Sequence, residues 1–207
     1  MASTRLDRPL TSQSARFVLV AGAILLVNVL RLPGTFLYPS FWAEDGSYFF
    51  RESIELGARS LWQPIAGLYL TLPRIVAWGA SFLPLRWAPA TYACAAGVLS
   101  SLSLALFSRS GFRWLLPHDR ARAAASVLFA LAPGVDECFF ALCTQMYVLF
   151  AGCCLLLLER DEAGGWQMGW RRTLLVSFLW LTVGHGLVLV PVLLYLLVRM
   201  NRKATLS

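Results

Sequence analysis

The stretch Trp42-Ala43-Glu44-Asp45-Gly46 sets two adjacent carboxylates in a mostly apolar chain. Adjacent carboxylates repel, so a purely structural helix gains little from the pair. Two chemistries justify it. One is a divalent metal held by Glu44 and Asp45; the other is proton removal from a substrate hydroxyl. Downstream, Glu44, Tyr48, Glu52 and Glu55 share one helical face at spacings of four, four and three, and Arg51 can pair with Glu55. Those later charges fit an amphipathic helix on a membrane surface, which does not account for Glu44-Asp45.

Other polar residues stand out for the same reason. Arg86, in LPLRWAPA, precedes an apolar run and is placed either to bind a phosphate at headgroup level or to snorkel beside Trp87. Arg74, in LTLPRIVAW, carries the same two readings. Asp136 and Glu137, in PGVDECFF, form a second acidic pair where a helix starts, either as a cap or as ligands for an acceptor or a metal. Gln145 lies in an apolar run and needs a partner, supplied by a neighbouring helix or by substrate. His185 sits between two glycines, where a tight turn allows close approach of a ligand. His118 lies in a basic loop and reads as solvated. The five cysteines form no CxxC pair and no Cys/His cluster, which argues against zinc; Cys138 and Cys143 are near enough in sequence for a disulfide at one membrane face.

The elements that must position these residues are membrane helices. Of the 207 residues, 58% are hydrophobic and only 14% charged, against roughly 25% charged in soluble domains. The net charge is +7 with Lys203 the single lysine. No basic stripe interleaved with aromatics appears, so nucleic acid is not an expected partner. The apolar segments are Phe17–Leu32, Ile65–Leu83, Ala88–Ser108, Ala123–Ala132, Phe139–Leu158 and Thr173–Val198. The arginines concentrate in 109–122, 159–172 and the tail, which the positive-inside rule assigns to the cytoplasm with the N-terminus. That count requires Ile65–Leu83, with its prolines and Arg74, not to cross but to lie on the surface or re-enter. Ala123–Ala132 then goes out and Phe139–Leu158 returns. Thr173–Val198 either divides at Gly184-His185-Gly186 into two short helices or crosses once as a tilted span with its tail outside. The expected architecture is all-α: a cytoplasmic tail over 1–16 and one polytopic transmembrane helix bundle over 17–207. The outer loop 33–87 carries the acidic motif on membrane-surface helices.

In this order the pieces resemble the N-terminal half of a GT-C membrane glycosyltransferase, in the protein mannosyltransferase and aminoarabinose transferase branch. AEDG resembles its outer acidic motif, QPIAGLYLTLPRIVAW its surface-helix region, and LRWAPATYACAAG its arginine-led second span. LAPGVDECFFALCTQMYVLF resembles its acidic turn and returning helix, and LTVGHGLVLVPVLL its short helix pair. The Glu44-Asp45 order reverses the commoner Asp-Glu order of that family. The small number of hydrophobic segments raises the expectation of a truncated or partial protein. The resemblance implies a bacterial cytoplasmic membrane, a polyprenyl-phosphate-linked sugar as donor and inverting transfer at the outer face. It also implies Asp45 as base, Glu44 as its support or a ligand of a divalent metal, and Arg86 as phosphate ligand. Arg74 and His185 would assist, with Asp136, Glu137 and Gln145 near the acceptor. Two other readings stand beside it: a flippase or transporter for a lipid-linked solute, and a non-catalytic membrane partner subunit of a longer enzyme.

Overall fold

A computed structural model of the chain describes residues 10–132, 136–160 and 170–182. Within them the protein is all-helical; the one extended feature is an isolated bridge between Ile65 and Leu68. Helix α1, Leu10–Arg31, starts in the polar N-terminal segment, seven residues before the apolar run. It stops one residue before Leu32-Pro33, because the residue before a proline is pushed out of the helical region. Pro33 then opens the short helix α2, Pro33–Leu37, where its missing N–H costs nothing.

Among the described residues two stretches are long and apolar enough to cross a membrane, Gln13–Arg31 and Leu85–Ser108. The second contains helix α5, Ala88–Ala105, again opened by a proline in its first turn. Between them lie a widened π-helical turn, Asp45–Phe50, and helix α3, Arg51–Leu56. Helix α4, Thr71–Ala80, follows. At 1.5 Å per residue its ten residues reach about 15 Å, half of a hydrocarbon core, in line with the non-crossing expectation. The apolar stretch from Ile65 is not one helix, however. Ala66 and Gly67 both take positive φ, 50° and 79°, and Ile65 and Leu68 exchange backbone hydrogen bonds of 3.0 and 2.9 Å across them. A tight turn of this hand overrides the apolar pattern.

The remaining described helices are α6 (Asp119–Ala130), α7 (Asp136–Phe140), α8 (Gln145–Leu158) and α9 (Trp170–Thr182). The expected continuous helix from Phe139 to Leu158 is broken at Ala141–Thr144. Helices α1 and α6 run parallel and are tied at both ends. Arg16 pairs with Asp119 at one end, and the Arg31 guanidinium donates to the Ala130 and Ala132 carbonyls at the other (2.8 and 3.0 Å). Those carbonyls end α6 and have no partner within it, so a cation suits them. Helices α5 and α8 approach closely where a Cβ on Gly152 would stand 3.1 Å from Ser103.

These ties sort the molecule into two ends. Gln13 donates to Ser110 at 2.8 Å. The Arg16–Asp119 pair, the Arg109–Glu159 pair and the Arg172–Glu159 pair lie on that same side. It is the arginine-rich end. The chain segments after α1, before α5 and around α7 lie at the other end, and the Glu44-Asp45 motif is among them.

Candidate functional site

Asp45 begins the widened turn and is 2% exposed. Its carboxylate reaches across the fold to the break between α7 and α8. Leu142 N–H donates to Oδ2 at 2.9 Å and Cys143 N–H donates to Oδ1 at 2.8 Å. This is the physical reason for the break: two backbone donors that a continuous helix would use internally are taken by a side chain. The Thr144 hydroxyl completes the junction by donating to the Glu137 and Ala141 carbonyls at 2.6 and 3.1 Å. Gly46 packs closely beside it: a Cβ there would stand 3.1 Å from the Phe41 side chain, which would have to give by a few tenths of an ångström.

Burial pushes the Asp45 carboxyl up from 3.8 to about 6, and the Glu44 charge adds to the rise; the two backbone donors act against it without cancelling it. Asp45 lies in the wall of a cavity of about 380 Å³. Thr35, Tyr38, Ser40, Trp42, Tyr92 and Glu137 also line it. Tyr38, Trp42 and Glu137 are exposed at its mouth, whereas Tyr92 is 2% exposed. The Tyr92 ring packs edge-on against Phe41 and Phe50, and its hydroxyl is buried without a hydrogen-bond partner. The arrangement places two carboxylates and several hydroxyl-bearing and aromatic side chains around one concave space. Among the described residues no cationic side chain lines it.

The other expected site residues are distributed as follows. Glu44 is exposed and accepts from the Cys143 thiol at 3.8 Å. Cys143 is a free thiol, so the disulfide with Cys138 is not formed. Arg86 is exposed at the start of the second crossing-length stretch, its guanidinium 5.6 Å from the Trp87 ring centroid, and outside the cavity lining. Gln145 is fully buried and accepts from the Ser100 hydroxyl at 3.1 Å, the interhelical bond that its apolar surroundings demand. The Asp136 side chain and His185 lie outside the described residues. Sequence reasoning passed over Tyr92, whose signal was a phenol inside an apolar span, four residues after Ala88 opens α5.

Arg74 is engaged elsewhere. Its guanidinium has no exposed surface, stands 2.5 Å from Glu52 Oε2 and lies 5.0 Å from the Phe49 ring centroid. The contact is an ion pair by distance, but its angles leave the guanidinium nitrogens without a hydrogen bond. A buried cation depends on its counterion. Glu52→Gln is therefore expected to destabilise the protein by about 2 kcal/mol, below the range for fully buried pairs because the Glu52 side chain is 27% exposed. Denaturant unfolding in detergent measures this, and Glu52→Gln with Arg74→Met should recover part of the loss; an unchanged midpoint in Glu52→Gln alone would refute the dependence.

A divalent metal at Glu44-Asp45 would need further donors beside this pair. Each Asp45 oxygen already accepts one backbone N–H, from Leu142 and from Cys143. Among the described residues no three His, Cys, Asp or Glu side chains come together to hold an ion. The described donors do not make up a protein cage for a divalent cation. Comparison with protein-family models, curated proteins and solved structures found no match to this chain.

Proposed function

We propose that the chain is a membrane glycosyltransferase of the GT-C type. It moves a sugar from a polyprenyl-phosphate donor to an acceptor hydroxyl at the outer face of a bacterial cytoplasmic membrane. The observation that carries this reading is Asp45. It is a carboxylate that titrates near pH 6, in the wall of a cavity, at the end of the molecule away from the arginine-rich turns. A group with that ionisation is charged at neutral pH and still basic enough to accept a proton in the transition state.

In the proposed reaction the acceptor hydroxyl lies in the cavity against Asp45. Asp45 takes its proton as the oxygen attacks the anomeric carbon. The bond from that carbon to the phosphate oxygen breaks, and the lipid phosphate leaves as an anion. One displacement inverts the anomeric centre, so no second nucleophilic carboxylate is needed. Glu137, exposed at the cavity mouth, orients the acceptor by hydrogen bonding. The leaving phosphate needs a cation, which the described cavity lining does not supply; the exposed Arg86 at the head of α5 is assigned that role. The lipid tail then lies along the outside of α5, in the bilayer.

The test is transfer of labelled sugar from a polyprenyl-phosphate donor in reconstituted membranes. Arg86→Ala is expected to lower transfer at least tenfold with unchanged expression, because the departing charge loses its partner. The reading fails if wild-type protein shows no transfer with any of a panel of hexosyl and pentosyl donors.

A further inference from the structure

We propose that the turn joining α5 to α6, at the arginine-rich end, is a docking site for anionic phospholipid headgroups of the adjoining leaflet. The inference rests on the crossing-length stretches and is independent of the sugar-transfer reading. Gln13 and Ser110 meet at the ends of α1 and of the second crossing-length stretch. Whatever follows Ser110 therefore sits where those helices leave the hydrocarbon, at headgroup depth.

The charges at this end do not balance among the described residues. Asp119 takes Arg16 and Arg122, and Glu159 takes Arg109 and Arg172. Two cations of the turn are left over. Arg113 stands 3.7 Å from an Asp119 already shared by two arginines, and Arg120 is exposed. Between them, Trp114 and Leu115 are 45% and 54% exposed. The Arg160 guanidinium lies 4.2 Å from the Trp114 ring centroid, fixing that indole at the surface. An exposed tryptophan and leucine flanked by one weakly paired arginine, Arg113, and one exposed arginine, Arg120, suit one environment. The apolar pair enters the acyl boundary, and the guanidinium groups reach the phosphates above it. Juxtamembrane cations of this kind gain from negative lipid in the leaflet they face.

The experiment uses the full chain in neutral detergent and reads its thermal unfolding midpoint. Phosphatidylglycerol is expected to raise the midpoint by on the order of 5 °C, with a rise that shrinks in high salt. Phosphatidylcholine and inorganic phosphate should leave it unchanged. Arg113→Gln with Arg120→Gln should lose most of the rise, while Arg59→Gln, an exposed arginine elsewhere on the surface, should keep it. An equal rise in the double variant, with phosphatidylcholine or with inorganic phosphate overturns the proposal. Co-flotation with neutral vesicles is measured in parallel for the wild type and the double variant. A wild-type chain that fails to float with them removes the placement on which the inference rests.

Discussion

Asp45→Asn is expected to lower sugar transfer by about 10²–10⁴-fold, the usual contribution of a positioned base. Wild-type transfer at low substrate should rise with pH through a midpoint near 6, the value to which burial raises this carboxyl. The residual rate of the variant should lack that limb. Asp45 also holds the N–H groups of Leu142 and Cys143, so loss of activity must be separated from loss of fold. The linkage supplies the separation. A carboxyl raised from 3.8 to about 6 favours the folded protein most when protonated. Its contribution is complete below the unfolded value and is lost as pH rises through the folded one. The difference amounts to about 3 kcal/mol. Asparagine removes this charge penalty at pH 7.5 but can satisfy only one of the two N–H donors, a loss of about 1–3 kcal/mol. The two changes nearly offset at pH 7.5. At pH 4 only the loss remains, so the variant should be the less stable protein there. Full activity in Asp45→Asn, or a wild-type midpoint near pH 4, would remove Asp45 from the proposed role.

The pairing of Asp45 with the α7–α8 junction explains why sequence reasoning reached the residue but not its surroundings. The acid was legible because a carboxylate pair in an apolar chain needs a reason. The partners were not, since the bonded groups are backbone amides nearly a hundred positions away and carry no side-chain signature. For the same reason Phe139–Leu158 read as one helix: nothing local announces that two of its amides are claimed from outside. Gln145 was legible in half. Its apolar surroundings required a partner, and the partner is Ser100 on α5, a residue with no pattern of its own. The crossing-length helices were legible because hydropathy, the Leu32-Pro33 stop and the Ala88-Pro89 start are local. Arg74 shows the opposite case. Its sequence context allowed a ligand contact, but Glu52 reaches it through the fold of the intervening loop and the turn at Ala66-Gly67.

Gly111→Ala should be among the most damaging single-methyl additions in the chain, at about 3–5 kcal/mol. A Cβ at this position would stand 2.2 Å from Glu159 Cγ and 2.7 Å from the Arg160 carbonyl oxygen. The second contact is backbone, so a side-chain rotation cannot relieve it. The Arg160 N–H also donates to the Gly111 carbonyl at 3.1 Å, which fixes the two segments against each other. Moving Glu159 has a wider effect, because it is 4% exposed and joins three elements. Arg109, just past α5, donates to Oε1 at 2.6 Å; Arg172, in α9, donates to Oε2 and to the Glu159 carbonyl, each at 3.0 Å. Separating a buried carboxylate from its cations carries the upper part of the expected loss. Gly22→Ala is the control: it lies in the middle of α1 with nothing within 4 Å of its Cβ. There the better helix propensity of alanine should stabilise by up to about 1 kcal/mol. Denaturant midpoints of the two variants in the same detergent should move in opposite directions. A Gly111→Ala protein within about 0.5 kcal/mol of wild type would mean that Glu159 does not clamp this end of the bundle.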